Sequence, residues 1–271
     1  MIGKGKSIAH TATSMEYGWN QEKDAVVVLK QHLLGDNPKE ISNEFKIIQN
    51  MNSKCEKNTL SFILSPTIKD GRKLSDKQLG EIAKQFAHGM KLTEHQAIAF
   101  VHKDKAHIHI HLYVNRIDFN GKAYADNFIG KRANFEAEKV AKSLGLKTVK
   151  EVQLEKLNGL KHIRNEIKNI HDKILRTKKP KSFEAYIKSM ESKNVKVIPS
   201  INKANKLQGF RFEYKGVNLK GSEVHRSMSG GKIGAEIASN SPKYMFKAGK
   251  DTANITGKGI EMSTNLAVSI A

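Results

Sequence analysis

The chain is 271 residues long and carries 47 Lys and Arg against 27 Asp and Glu, a net charge of +20. That length buries a sizeable core and suits one large domain with an appendage. The charge surplus makes a polyanion the first partner to consider, nucleic acid ahead of an anionic membrane surface, with a merely solvated basic surface as the alternative. A single cysteine, Cys55 in NSKCEKN, excludes an internal disulfide framework and a cysteine-built zinc site, and fits a reducing cytoplasm. The N-terminus, MIGKGKSIAHTATS, lacks the apolar run of a signal peptide. No stretch is apolar over the length of a bilayer, so no membrane insertion is expected.

Residues 1–20 are small and polar and end in MEYGWN, where Gly18 is expected to bend the chain or close a short element. Residues 21–33 read as a helix closed by Gly35 and Pro38. Residues 39–52 read as a second helix, with Ile41, Phe45 and Ile48 at helical spacing. Residues 58–66 form a β-rich run stopped by Pro66. After the turn KDGRK, Ser75 and Gln78 form a capping box, and Leu79, Ile82, Ala83, Phe86 and Met90 make one apolar helix face. Strands are predicted over 96–102 and 107–118, joined by the loop KDKA, and Asn120-Gly121 marks the next turn. A helix over about 131–144 ends at Gly145.

Beyond 150 the texture changes. A long basic helix is predicted over 153–176, with Leu157, Leu160, Ile163, Ile167, Ile170 and Ile174 on one face, broken at Lys178-Lys179-Pro180. A short helix over 182–193 and two or three strands over 194–226 follow, with turns at Gly209 and Gly216. From about 229 the chain is rich in Gly, Ser, Asn and Lys and is expected to be a flexible tail. The expected division is therefore 1–150, a basic helix and small α/β extension over 151–228, and a tail over 229–271.

The stretch HKDKAHIHIHLYVN, residues 102–115, carries the chemistry. Placed in a strand, His107, His109, His111, Tyr113 and Asn115 share one face, while Ile108, Ile110, Leu112 and Val114 form a pure core face. Pairing 96–102 with 107–115 across KDKA puts His102 opposite His107, and opposed residues share a face. Four imidazoles then project to one side, enough to hold a divalent cation. Asp104, in the loop, is placed to orient a histidine or to move a proton. A solvated sheet face and direct phosphate contact by the imidazoles are the competing readings.

The run His102-x-Asp104, His109-x-His111, Val114-Asn115-Arg116 resembles the third motif of conjugative relaxases, which belong to the HUH endonucleases. The resemblance is closest to the mobilisation-protein and VirD2-like branch and covers about residues 1–150. It implies an α+β fold in which a central antiparallel sheet carries the histidine hairpin, with helices packed on the opposite face and a small C-terminal helix and hairpin subdomain. It also implies a nucleophilic tyrosine near the N-terminus, which here is Tyr17. A serine at the end of a strand is Ser65, with Ser61 as the alternative. The metal triad maps onto His102, His109 and His111, and His107 is the additional histidine. The implied ion is Mg²⁺ or Mn²⁺, with Zn²⁺ as the alternative.

The implied reaction is a transesterification. The Tyr17 phenolate attacks a DNA phosphodiester at an origin of transfer, giving a 5′-phosphotyrosine and a free 3′-hydroxyl. Asp104 and His107 are the candidates for proton handling. Trp19, Asn115 and Arg116 are the candidate contacts to single-stranded or melted DNA, with Tyr113 or Phe128 as further stacking surfaces. An accessory mobilisation protein and a type IV coupling protein are implied as partners. Three other readings compete. A rolling-circle replication initiator would use Tyr186, in FEAYIKSM, although Ser189 stands where that pattern has a lysine. A non-catalytic mobilisation protein would only bind DNA. A zinc hydrolase of small substrates would ignore it.

Overall fold

The computed structural model describes residues 1–20, 22, 24–103, 107–204 and 206–240. The chain divides into two compact units, Met1–Gln153 and Leu154–Ala271. The first unit runs β1 (Ile2–Ile8), α1 (Thr11–Gly18), β2 (Val26–Gln31), α2 (Pro38–Gln49), β3 (Thr59–Ser65), α3 (Ile68–Gly71), α4 (Asp76–Gly89), β4 (Ala97–His102), β5 (His109–Asn115) and α5 (Ile129–Ser143), and the unit boundary falls within α6 (Val149–Gly159). Its five strands form one antiparallel sheet in the order β1-β3-β5-β4-β2. The class is α+β.

Strand alternation gives the sheet two faces. On one, Leu60, Phe62 and Leu64 of β3, Ala97, Ala99 and Val101 of β4, and Ile110, Leu112 and Val114 of β5 meet α4 and α5 in a fully buried core. α4 opens on the capping box of Ser75 and Gln78. α5 stops at Gly145, whose positive φ of 67° is open to glycine at little cost. The opposite face carries the histidines, and it too is partly covered by helices, contrary to expectation. The reason is apolar: Met15 of α1 with Ile41 and Phe45 of α2 bury themselves on Ile98, Phe100 and Tyr113.

Two strands differ from the sequence reading. The helix read over 21–33 gives way to edge strand β2, Val26–Gln31, paired with β4 through an irregularity between Val27 and Leu29, while Gln21 and Lys23 lie outside the described residues. The β-branched run of three valines favours the strand. β1 reads as a polar leader because its inward positions, Gly3 and Gly5, carry no side chain. Their bareness lets α5 press against the strand: a Cβ on Gly3 would overlap the Ala133 carbonyl and the Ala137 methyl, and one on Gly5 the Phe62 ring.

The second unit contains α7 (Lys161–Thr177), α8 (Phe183–Glu191), β6 (Lys196–Ile201), β7 (Leu207–Tyr214), β8 (Val217–Lys220), α9 (Gly221–Val224) and α10 (Gly230–Ser239). Its sheet is antiparallel, in the order β6-β7-β8. The expected long basic helix is two, α6 and α7, divided at Gly159-Leu160. Gly216 makes the β7–β8 turn, whereas Gly209 lies inside β7. The segment from 229, read as the start of a flexible tail, holds α10, with Ile233 and Ile237 in the unit's core. Residues 241–271 lie outside the described residues. Among the described residues no helix is long and apolar enough to cross a membrane.

The glycine contact between β1 and α5 is testable. Gly3→Ala is expected to force α5 off the edge strand and to cost about 1–3 kcal/mol, as overpacking does. A denaturant titration should show the lowered midpoint, and an unchanged midpoint would mean that β1 tolerates a side chain there.

Candidate active site

The histidine hairpin forms with a longer turn than expected. β5 begins at His109, so His102 pairs with His109 and Phe100 with His111. The expected partner of His102 was His107. The shift is two residues, an even number, so alternation still keeps His102, His109 and His111 on one face. The residues left out of the ladder have other work. Lys103 pairs with Asp76 at 2.6 Å, and Ile108 packs against the main core. His107 lies exposed in a bend, its ring parallel to that of His109 at 6.3 Å. Asp104 lies outside the described residues.

His102 and His111 are buried, with ring centres 4.4 Å apart. The His102 Nε2 lies 3.1 Å from the Gly18 carbonyl oxygen. A carbonyl only accepts, so this nitrogen is the donor. Tyr17 stands over the pair. Its ring is 5.4 Å from both His102 and His111, yet 45% of the residue is exposed. Position and accessibility therefore coincide at one phenol.

α1 could not hold this place alone. It has eight residues, no side-chain cap at His10 and no acidic residue in its first turn, and isolated helices this short are unstable. Three tertiary anchors fix it. Met15 is buried on the sheet. At the N-terminal end, Thr11 Oγ1 bonds Thr59 Oγ1 at 2.6 Å, and the buried Gln49 Nε2 donates toward both hydroxyls and the Asn58 carbonyl. At the C-terminal end, Gly18 lies flat on Phe100, where a Cβ would overlap the ring, and its carbonyl takes the His102 bond. Sequence reasoning singled out Gly18 but missed Thr11, Gln49 and Thr59. Their only sequence signal is a buried glutamine at the end of an amphipathic helix.

The donor set suits a divalent cation: three imidazoles on one sheet face. Two ligand rings on one ion lie on the order of 5 Å apart, given metal–nitrogen bonds of about 2.0–2.1 Å. His102 and His111, at 4.4 Å, are near that spacing, while His109 is 6.4 Å from His111. Among the described residues no group of three or more His, Cys, Asp or Glu stands close enough to hold an ion. Completing the set requires the His109 ring to turn toward the other two.

The remaining predicted residues divide sharply. Ser65 ends β3 on the histidine face, one register step past Leu64↔Ile110, and its Oγ donates toward the Ile108 carbonyl at 3.5 Å. Ser61 is buried beneath that face, beside Tyr113. Asn115 is fully buried: its amide donates to the Phe45 carbonyl and to Gln96 Oε1, and its Oδ1 accepts from the Ile117 N–H. It therefore ties α2 to β5 and has no atom for DNA. Arg116 is likewise engaged, donating to the Tyr124 and Lys57 carbonyls and to Asp126 at 2.8 Å. Trp19 packs edge-on against Phe100 at 5.2 Å as part of the α1 contact. Tyr113 is buried, which pushes its hydroxyl up to about 12, with Tyr17 a smaller contribution. Phe128, in contrast, is 70% exposed.

Tyr186 is fully buried in the second unit, its hydroxyl 2.7 Å from His171 Nδ1. Burial pushes the phenol far above its ordinary range and the imidazole down to about 4. A nucleophile there would meet no substrate.

Residues 17–146 match the family model described as the MobA/VirD2-like nuclease domain of relaxases. Neither the curated proteins nor the solved structures give a match.

Thr11→Val is expected to loosen α1 and Thr11→Ser to leave it in place. Trp19, the sole tryptophan and the residue that closes α1, reports this directly. Its fluorescence should become more quenchable in the valine variant only. Equal quenching in both variants would remove the hydroxyl cluster from the account. His171 gives a pH prediction. Above about 6.5, the value of an exposed histidine, neither folded nor unfolded chain takes its proton; from there to about 4 only the unfolded chain does. Stability present above about 6.5 should fall as pH drops to about 4, and His171→Gln should flatten that part of the profile of denaturation midpoints.

Proposed function

Through residues 17–146 the chain belongs to the MobA/VirD2-like relaxases of the HUH superfamily, and we propose that it nicks one DNA strand at an origin of transfer with Tyr17 as nucleophile. The observation that carries this reading is the place of Tyr17, solvent-facing and 5.4 Å from the rings of both His102 and His111.

A phenol is protonated at neutral pH and must lose its proton to attack. Asp104 and His107 are the residues proposed to receive it. Tyr17 Oη then forms a bond to the scissile phosphorus, the bond from phosphorus to the 3′ oxygen breaks, and that oxygen takes up a proton. The product is a 5′-phosphotyrosine and a 3′-hydroxyl. One ester replaces another, so the same residues can run the reaction backwards and rejoin the strand. A bound Mg²⁺ or Mn²⁺, with Zn²⁺ as the alternative, would sit on His102, His109 and His111 and draw charge from a non-bridging oxygen. The His102 bond to the Gly18 carbonyl couples the histidine pair to the helix that carries the nucleophile, fixing attack geometry before substrate arrives. Ser65, beside His109, is proposed to hold the strand near the phosphate. An accessory mobilisation protein and a type IV coupling protein are the partners this reading requires.

The initiator reading is disfavoured by the burial of Tyr186. The binding-only reading is decided by experiment. Purified protein, Mn²⁺ and DNA from around its own gene are incubated, digested and examined by mass spectrometry. A nucleotide is expected on the Tyr17 peptide. Tyr17→Phe should abolish it and lower cleavage by at least about a thousandfold, as loss of a nucleophile does. Tyr186→Phe should keep the adduct. An adduct on Tyr186 would establish the initiator chemistry instead, and tight DNA binding without any adduct would leave a binding protein.

A further inference from the structure

The sequence motif IGKGKSI is unused by the mechanism, yet the fold brings it to the active-site face. β1 pairs with β3 so that Lys4 lies opposite Ile63 and Lys6 opposite Ser61. β3 in turn places Ile63 opposite His111 and Ser61 opposite Tyr113. Opposed residues share a face, so Lys4 and Lys6 project to the same side as the histidines. Lys4 stands in the row of His111, two strands away, a backbone separation of about 10 Å. Both lysines are exposed.

The rest of this face is divided. α1 and α2 cover Ile98, Phe100 and Tyr113 on the β4 and β5 side. On the other side, Ile63 and Ser65 are half-buried and Ile2 is 45% exposed, which leaves a strip running from His109 and His111 over β3 to β1. A polyanion with its reacting phosphate under Tyr17 meets helices in one direction and this strip in the other. The strip ends in two cations on a strand held rigidly from behind, because Gly3 and Gly5 let α5 lie directly against it. Alternate residues of a strand repeat at about 6.8 Å, close to the separation of neighbouring phosphates in an extended single strand.

We propose that the single-stranded DNA flanking the cleaved phosphate crosses β3 to the edge strand β1, where Lys4 and Lys6 hold successive phosphates. The proposal rests on the reading of the histidine face as the nuclease site. It moves the backbone contacts from Asn115, which is buried, and Arg116, which is bonded to Asp126 and to two carbonyls, to two residues in the first strand.

Binding of a fluorescein-labelled oligo(dT) of about 16 nucleotides is measured by anisotropy across a salt series, in a Tyr17→Phe background so that no cleavage intervenes. Two lost phosphate contacts on a single strand should reduce the slope of log affinity against log salt by about 1.4. The double variant Lys4→Ala, Lys6→Ala is expected to show that reduction, and Lys4→Arg, Lys6→Arg to keep the parent slope. Lys39→Ala with Lys46→Ala removes the same charge from α2 and should leave the slope unchanged. An unchanged slope in the β1 variant, or an equal reduction in the α2 variant, overturns the proposal. A reduction seen only with duplex DNA also overturns it. Because no cleavage is read, these outcomes are the same whether or not Tyr17 proves to be the nucleophile.

Discussion

The register of β5 is the constraint on which the site depends. Ile110, Leu112 and Val114 are fully buried against α4 and α5, and a shift of one residue would turn all three out of that core. Their burial forces His109, His111 and Tyr113 to the opposite face. Each of these apolar side chains contributes about 1.5–3 kcal/mol by leaving water, so a one-residue slip would forfeit several times that amount and also bury imidazoles. The histidines are thus presented by hydrophobic residues that lie on the opposite face of the same strand. The same argument explains why a two-residue error in the predicted hairpin left the site intact, whereas a one-residue error would have removed it.

A second constraint acts on Tyr17, the proposed nucleophile. α1 has little intrinsic reason to be a helix, and its position comes from what it touches. Met15, the hydroxyls of Thr11 and Thr59, the Gln49 amide and the Gly18 carbonyl belong to different levels of structure, yet they converge on one turn of chain. Gly18 does two things at once. Its lack of a side chain admits the Phe100 ring, and its backbone oxygen receives the His102 proton. Tyr17 is the neighbour that results: fixed through the backbone, against both imidazoles, with 45% of the residue left exposed.

Legibility in the sequence followed side-chain pattern. The histidine strand, the capping box of α4 and the stop at Gly145 were readable because each is a local rule with a local signature. β1 was not, since its inward positions are glycines and a strand whose core face lacks side chains shows no alternation of apolar residues. β2 was misread because a short apolar run fits a helix or a strand equally, and only pairing with β4 decides. Asn115 and Arg116 were read as DNA contacts because polar residues beside a site invite that reading; the burial of Asn115 under the Phe45 carbonyl and Gln96, and the bond of Arg116 to Asp126, are tertiary facts. The Gln49 cluster joins residues 38 and 48 positions apart from their partners, and its one signature is a glutamine closing an amphipathic helix.

Two tyrosine–histidine pairs among the described residues, one in each unit, show by contrast what makes one of them a candidate site. Each unit sets a tyrosine beside a histidine: Tyr17 near His102 and His111 in the first, Tyr186 bonded to His171 in the second. In the second unit both groups are buried, so desolvation opposes phenolate and imidazolium alike, and the neutral hydrogen-bonded pair is the stable state. That pair closes a core. In the first unit His102 and His111 are buried but Tyr17 is open to solvent. Residue type therefore does not separate the two. Exposure of the phenol over a fixed, buried imidazole pair does, and that combination is produced by an eight-residue helix packed on the histidine face beside α2.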